Sequence, residues 1–342
     1  MGHSLEGVFH FVDPYLRWNG MEALRIKRYL SWLVCAAMFP DKNSYDLFLS
    51  DGCHVNALLM RKMGLLSDRQ RIASLMGDQT LYFLKTNYYP HSTHRMLMYA
   101  MQRQDAIFCI GRMQTRIAEE LFDGKDPCPA IYLIPNEVLD DRGMDYASVR
   151  PDLKSDRLLV VANGPYGFRS WYKGIDLVLQ VFTQLLRVRP ELRLTIVGEW
   201  TQEFQTRTRS EYKNAFPRAE FLGATKDLRP YFSSSCCLLH LARGDAYPLA
   251  VMESLAAGLP AIVSEWTGSG DAVADVEPRL IVPLDVDKAV QTVLWYLDLP
   301  LLEKQRISGS GRTAVSRYTP ERAFQALREA AEKTMEQKVH GR

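Results

Sequence analysis

Long apolar runs are missing from this sequence. The longest, near Leu30 to Phe39, is interrupted by Ser31 and is too short to span a bilayer. Paired cysteines are missing too. Cys35, Cys53, Cys109, Cys128, Cys236 and Cys237 form no C-x-x-C motif and have no histidine-rich partner spacing. That argues against a zinc site or a disulfide framework and fits a reducing compartment. Net charge is only +2, so there is no chain-wide basic footprint and no nucleic-acid partner is expected. No signal peptide opens the chain, and a cytoplasmic location is the expectation. Clustered acids are scarce: the one D-x-D, Asp285 and Asp287, opens a late helix, where carboxylates favour the helix dipole. No metal is expected.

What remains is an ordinary globular composition, 47% hydrophobic and 24% charged over 342 residues, enough for two domains. The C-terminal half alternates strands and helices. Apolar runs at 157–162, 192–198, 219–222, 236–241, 261–264 and 279–282 read as strands. Helical patterns cover 175–188, 201–214, 227–232 and 286–297. Near-continuous apolar strands between helices indicate an α/β, doubly wound parallel sheet. Ligands of such sheets sit beyond the carboxyl ends of the strands. The loops 163–174 and 242–248 both leave from such ends and are expected to converge.

The second of these loops opens the most informative segment, RGDAYPLAVMESLAAGLP over Arg243–Pro260. Asp245 lies in the loop and Glu253 on the second turn of a helix, with Pro248 suited to the helix start and Gly258-Leu259-Pro260 as its stop. The free N–H groups of a helix N-terminus attract an anion. Two carboxylates beside it suit a ligand with phosphates at one end and sugar hydroxyls at the other.

Here the sequence resembles the retaining GT-B glycosyltransferases of the family 4-like, group 1 type. Their acidic signature is an acid, seven intervening residues, then Glu, followed by a small-residue helix and Gly-x-Pro. Asp245 stands where Glu is usual. Lys173-Gly174-Ile175-Asp176 matches the family's KG-x-D segment, and Arg169 precedes it. The resemblance implies two Rossmann-like, doubly wound domains facing a cleft. Residues 1–140 form the acceptor side, shortened at its start, 156–318 the nucleotide-sugar side, and 319–342 a helix that crosses back or packs peripherally. It also implies roles. Lys173 and Arg169 hold the diphosphate, where negative charge grows as the sugar departs. Asp245 contacts the sugar, and Glu253 accepts from the ribose. Backbone near Tyr247, Leu249 and Ala250 cradles sugar and phosphate. Gly164, Gly198 and Gly223 allow close approach of the donor, although for lone glycines a plain turn serves as well.

The first half follows the family order less closely. Strands are expected over 45–49, 71–75, 105–110 and 130–134, and helices over 20–38, 55–63, 93–104 and 114–121. Ile134-Pro135-Asn136 resembles the end-of-domain motif, with Glu137 where Gly is usual, and a linker follows over 140–155. Met76-Gly77-Asp78 stands where many relatives carry a histidine. His54, His91 and His94 read as surface or packing residues. The basic, apolar stretch Met21–Phe39 fits either an interfacial helix on anionic lipid or a core-facing helix with a solvated basic side. The expected activity is metal-independent, retaining transfer of a hexose from a UDP- or GDP-sugar to a glycan or lipid-linked acceptor, in the cytoplasm or at the inner membrane face. The alternative is a non-catalytic nucleotide-sugar-binding subunit of a transferase complex.

Overall fold

The computed structural model describes residues 45–52, 54–136, 145–164, 167–216 and 218–337. The stretch Met21–Phe39, Glu137 and the start of the expected linker lie outside the described residues. Two wholly parallel sheets form the framework. In the first, β1 (Leu47–Asp51), β2 (Arg71–Met76), β3 (Ala106–Cys109) and β4 (Ala130–Leu133) lie side by side in chain order. The connections carry α1 (Asn56–Lys62), α2 (Thr80–Lys85), α3 (His91–Gln102) and α4 (Arg112–Phe122), as parallel pairing demands.

The second sheet has β5 (Arg157–Val161), β6 (Arg193–Val197), β7 (Ala219–Phe221), β8 (Cys237–His240), β9 (Ala261–Ser264) and β10 (Ile281–Val282), in the spatial order β10-β9-β8-β5-β6-β7. The winding starts at β5, runs outward through β6 and β7, then reverses through β8, β9 and β10. The reversal opens a crevice beyond the ends of β5 and β8, where sheets of this kind bind ligands. All residues of β8 and β9 are buried, which is why their sequences are nearly continuous apolar runs. The connecting helices are α5 (Gly167–Tyr172), α6 (Ile175–Leu185), α7 (Gln202–Glu211), α8 (Arg229–Ser233), α9 (Leu249–Ala256), α10 (Gly270–Val276) and α11 (Val286–Asp298). Thr201 caps α7, its hydroxyl accepting from Phe204 N at 3.2 Å, and Asp285 caps α11, accepting from Lys288 N at 3.0 Å.

Two helices close the chain. α12 (Leu301–Val315) packs on α9 and α10. It has no clear sequence pattern, because Ser308, Gly309, Ser310 and Gly311 interrupt it with poor helix formers. Tertiary contacts hold it instead. Arg312 donates to the carbonyls of Val149 at 2.7 Å and Ala257 at 2.6 Å. α13 (Pro320–Glu336) then returns to the first sheet, packing Ala326, Leu327 and Ala330 against Ala73, Ala106, Phe108 and Ile134. Gln337 Nε2 donates to the Tyr132 hydroxyl at 3.2 Å, and Arg71 donates to the Gln337 carbonyl. α13 is thus fastened to the first domain.

Burying a carboxylate under α13 should release it. Ala330→Asp is expected to lower stability by about 2–4 kcal/mol in urea unfolding, whereas Lys333→Ala on the exposed side of the same helix should stay within about 0.5 kcal/mol of the parent.

Candidate functional site

The loops after β5 and β8 are fitted tightly together. Gly174 has φ +70°, and a Cβ there would lie 1.9 Å from the Leu241 carbonyl oxygen. Only glycine permits both the backbone conformation and the approach. Arg243 N donates to the Tyr172 carbonyl at 2.7 Å. The Arg243 guanidinium grips both carboxylate oxygens of Asp176 at 2.8 and 2.6 Å and also donates to the Trp171 carbonyl at 2.5 Å. This is a bidentate, charge-assisted contact of the strong kind. It gives the last residue of the KG-x-D segment a structural task and turns Arg243 into the clasp between the loops.

The clasp sets Lys173 against Asp245. Lys173 Nζ donates to Asp245 Oδ2, with the side chains 15% and 11% exposed. The Asp245 backbone is held as well, its carbonyl accepting from Gly268 N at 2.8 Å. A third group reaches the same oxygen. His240, the last residue of β8 and 4% exposed, has Nε2 3.1 Å from Asp245 Oδ2, within ion-pair distance but without hydrogen-bond alignment. Burial alone would push the Asp245 carboxyl up. Lys173 beside it, and His240, outweigh that and hold it well below the usual carboxylate range. For Lys173, burial lowers the ammonium's pKa, while Asp245 and then Tyr172 raise it further than burial lowers it.

Beside the pair, α9 begins one residue later than the sequence suggests, with Pro248 as the capping residue. Leu249 and Ala250, half-buried, form the helix start. Glu253 does not face solvent: it is 3% exposed, and the Tyr146 hydroxyl donates to its Oε1 at 3.1 Å. Tyr146 sits in a short 3-10 turn where the chain enters the second domain. Arg169 is exposed on α5, one turn before Lys173. The Tyr247 hydroxyl donates to the Asn136 carbonyl of the first domain at 3.1 Å. Burial pushes its phenol far above the usual range. Gly164 abuts the Trp200 ring and Gly198 the Ala162 carbonyl, so the protein's own atoms fill the space beside both. Gly223 alone of these three borders open space.

The first domain meets this site directly. The Tyr82 ring covers Gly244, leaving no room for a Cβ, and packs edge-on against Trp266 at 5.0 Å. Tyr88 stacks on Trp171 at 5.4 Å. Arg112 N, at the start of α4, donates to Asp271 Oδ2 at 3.1 Å. Near the start of α2 lies a pair whose members look unrelated in the sequence, with His54 buried and the Asp78 side chain 32% exposed. His54, only 2% exposed, has Nε2 3.6 Å from Asp78 Oδ2. Asp78 also accepts from Thr80 N and Oγ1 at 2.9 and 3.0 Å. Burial works against the charged Asp78, but His54 and Thr80 bring its pKa below the usual value. The order of the first sheet makes this pairing, since His54 follows β1, Asp78 follows β2, and the two strands are neighbours. The residues that sequence reasoning missed, His240, Arg243, Tyr146 and Tyr82, carry no motif of their own. The one signal for His240 was a lone histidine ending an otherwise apolar strand run.

Among the described residues no group of three or more His, Cys, Asp or Glu side chains converges so as to hold a metal ion, and no helix is long and apolar enough to cross a membrane.

The buried pair should dominate local stability. Lys173→Met and Asp245→Asn each strand one member and are expected to cost about 3–5 kcal/mol. The double variant should lose less than the sum, a coupling measurable by a double-mutant cycle in urea. Because the folded Asp245 pKa is depressed, its stabilising contribution is present above the unfolded carboxylate value, about 3.9. It fades as pH falls through the folded value. The stability gap between wild type and Asp245→Asn should therefore hold near neutrality and shrink below about pH 4.

Comparison with known proteins gives this geometry a context. Residues 166–312 match the family model of group 1 glycosyl transferases. A component of the phosphatidylinositol N-acetylglucosaminyltransferase of Arabidopsis thaliana is 23% identical over 202 residues, 58% of this chain and 43% of that protein. The chain spans less than half the length of the curated relatives it matches. Among solved structures, sucrose-phosphate synthase from Thermosynechococcus elongatus superposes with a TM-score of 0.69 at 15% identity, covering 90% of this chain and 78% of that one. HepE from Anabaena, solved with UDP and glucose, superposes with a TM-score of 0.65 at 11% identity, covering 91% and 82%. The fold is GT-B, and residues 166–312 carry the likeness to the group 1 glycosyl transferases.

Proposed function

We propose that this protein is a retaining glycosyltransferase that moves a hexose from a UDP- or GDP-sugar to a hydroxyl of a glycan or lipid-linked acceptor, without a metal ion. The observation that carries this reading is the junction of Lys173, Asp245 and the start of α9 at the reversal between β5 and β8. In the transfer, the bond from the anomeric carbon to the diphosphate breaks and a bond to the acceptor oxygen forms. The acceptor's hydroxyl proton passes to a phosphate oxygen of the nucleoside diphosphate as that group departs. Negative charge grows on the departing phosphate, so a fixed cation and aligned backbone N–H groups lower the barrier. Lys173 is the buried cation for that task and Arg169 an exposed one beside it. Leu249 and Ala250 supply the backbone end. Asp245 faces the sugar and the positive charge that develops at its anomeric carbon. Glu253, held by the Tyr146 hydroxyl, is the ribose acceptor. The His54–Asp78 pair and Thr80 belong to the acceptor side. The protein would work in the cytoplasm, in contact with the inner membrane face when the acceptor is lipid-linked.

One observation favours a second reading. Lys173 is already neutralised by Asp245, and the Arabidopsis relative is by its name one part of a multi-subunit transferase. A non-catalytic subunit would bind nucleotide without turnover, in a stable complex with a partner transferase.

Incubation of the full chain with a panel of UDP- and GDP-sugars, with and without acceptors, separates the two. Nucleotide release is expected from at least one donor. Lys173→Ala should reduce it by roughly a hundredfold or more, while Glu253→Ala should mainly weaken nucleotide binding. A folded chain that binds UDP or GDP yet releases none from any donor would establish the second reading.

A further inference from the structure

Asp245 Oδ2 is shared by two cationic or potentially cationic groups from different segments, Lys173 from the loop after β5 and His240 from the end of β8. Only one of them is free to leave. Lys173 stands in the turn after α5, one turn on from the exposed Arg169. His240 is fixed in a central strand, paired with Val263 of β9 and enclosed on both faces. Its Nε2 is buried and forms no aligned hydrogen bond, which is costly for a polar atom unless another state of the protein uses it.

We infer that His240 is a positioning residue that takes over Asp245 when a diphosphate draws Lys173 away. This inference rests on the donor-site reading above. In the free protein the Lys173 charge is spent on Asp245. When Nζ turns to a phosphate oxygen, Asp245 would be left as a buried carboxylate without a partner, a strongly unfavourable state. His240 removes that penalty by taking one proton from solution onto Nε2. The imidazolium then holds the carboxylate in place at 3.1 Å while Lys173 serves the phosphate. The other charged or titratable groups nearby do not compete for the role. Tyr172 favours the charged form of Lys173, and Arg243 is tied to Asp176. On the β9 side the neighbours are the Ser264 and Thr267 hydroxyls, which bond to the Ala242 carbonyl and to each other.

The consequence is that nucleoside diphosphate binding takes up a proton. Titration calorimetry of UDP, and separately of GDP, into the full chain at about pH 7.5 should be repeated in buffers of different ionisation enthalpy. Wild type is expected to take up about one proton more per nucleotide than His240→Gln or Asp245→Asn. Ionisation of the nucleotide's own phosphate is common to all three and cancels. In the wild type itself, the His240 imidazole resonances, assigned through their proximity to Val263, should move to imidazolium positions on adding UDP or GDP. This arm needs no variant to fold. Binding with equal proton counts, or with a His240 ring that stays neutral, would overturn the hand-over and leave the donor site standing. If neither UDP nor GDP binds the folded chain, the donor-site reading fails and the hand-over fails with it.

Discussion

A lysine ammonium and an aspartate carboxylate sit together under very little water at the one place where the second sheet changes winding direction, and much else in the structure exists to keep them there. Neither charge could be buried alone. The loops that carry them must therefore meet at bonding distance, and Gly174 against the Leu241 carbonyl is the condition for that meeting. The Arg243–Asp176 fork then fixes their relative height. On the far side, the Asp245 carbonyl is tied to Gly268 N, which connects the acid to the loop after β9. Three strand ends thus contribute to one small charged centre.

The first domain is shaped to the same centre. Its contacts reach residues next to the pair rather than the pair itself: Tyr82 on Gly244, Tyr88 on Trp171, and Asn136 receiving the Tyr247 hydroxyl. Aromatic faces supply large contact area with few rotatable bonds. They suit a boundary that must locate charged groups without adding charge of its own. The His54–Asp78 pair adjoins the start of α2, the helix that carries Tyr82.

Much of this architecture is legible in the sequence. The strands of the second sheet are visible because burial on both faces leaves continuous apolar runs, and the acidic loop and KG-x-D segment point to the right strand ends. What stays hidden depends on tertiary contact. α12 has a glycine- and serine-rich stretch that no propensity favours, and it forms because Arg312 finds four carbonyls and Gly311 lies against Leu255. α5 reads in the sequence as part of a polar loop. His240 looks like one more residue of a buried strand, and His54 like a surface or packing histidine. His240 takes its meaning from Asp245 in the loop that follows it, and His54 from Asp78 at the end of the neighbouring strand. Glu253 on its own fits a solvent-facing helix position, and its burial depends on Tyr146, more than a hundred positions earlier.

The return of α13 has a mechanical consequence. Among the described residues the polypeptide belongs to the first domain up to Asn136, to the second from Asp145, and to the first again on α13. A single tether would let one lobe swing and slide against the other. Two tethers that run side by side, joined where Arg312 holds the Ala147 and Val149 carbonyls, resist sliding and leave bending at the pair as the easy motion. Any gape of the crevice is then a turn that parts the aromatic faces together and returns them to the same register.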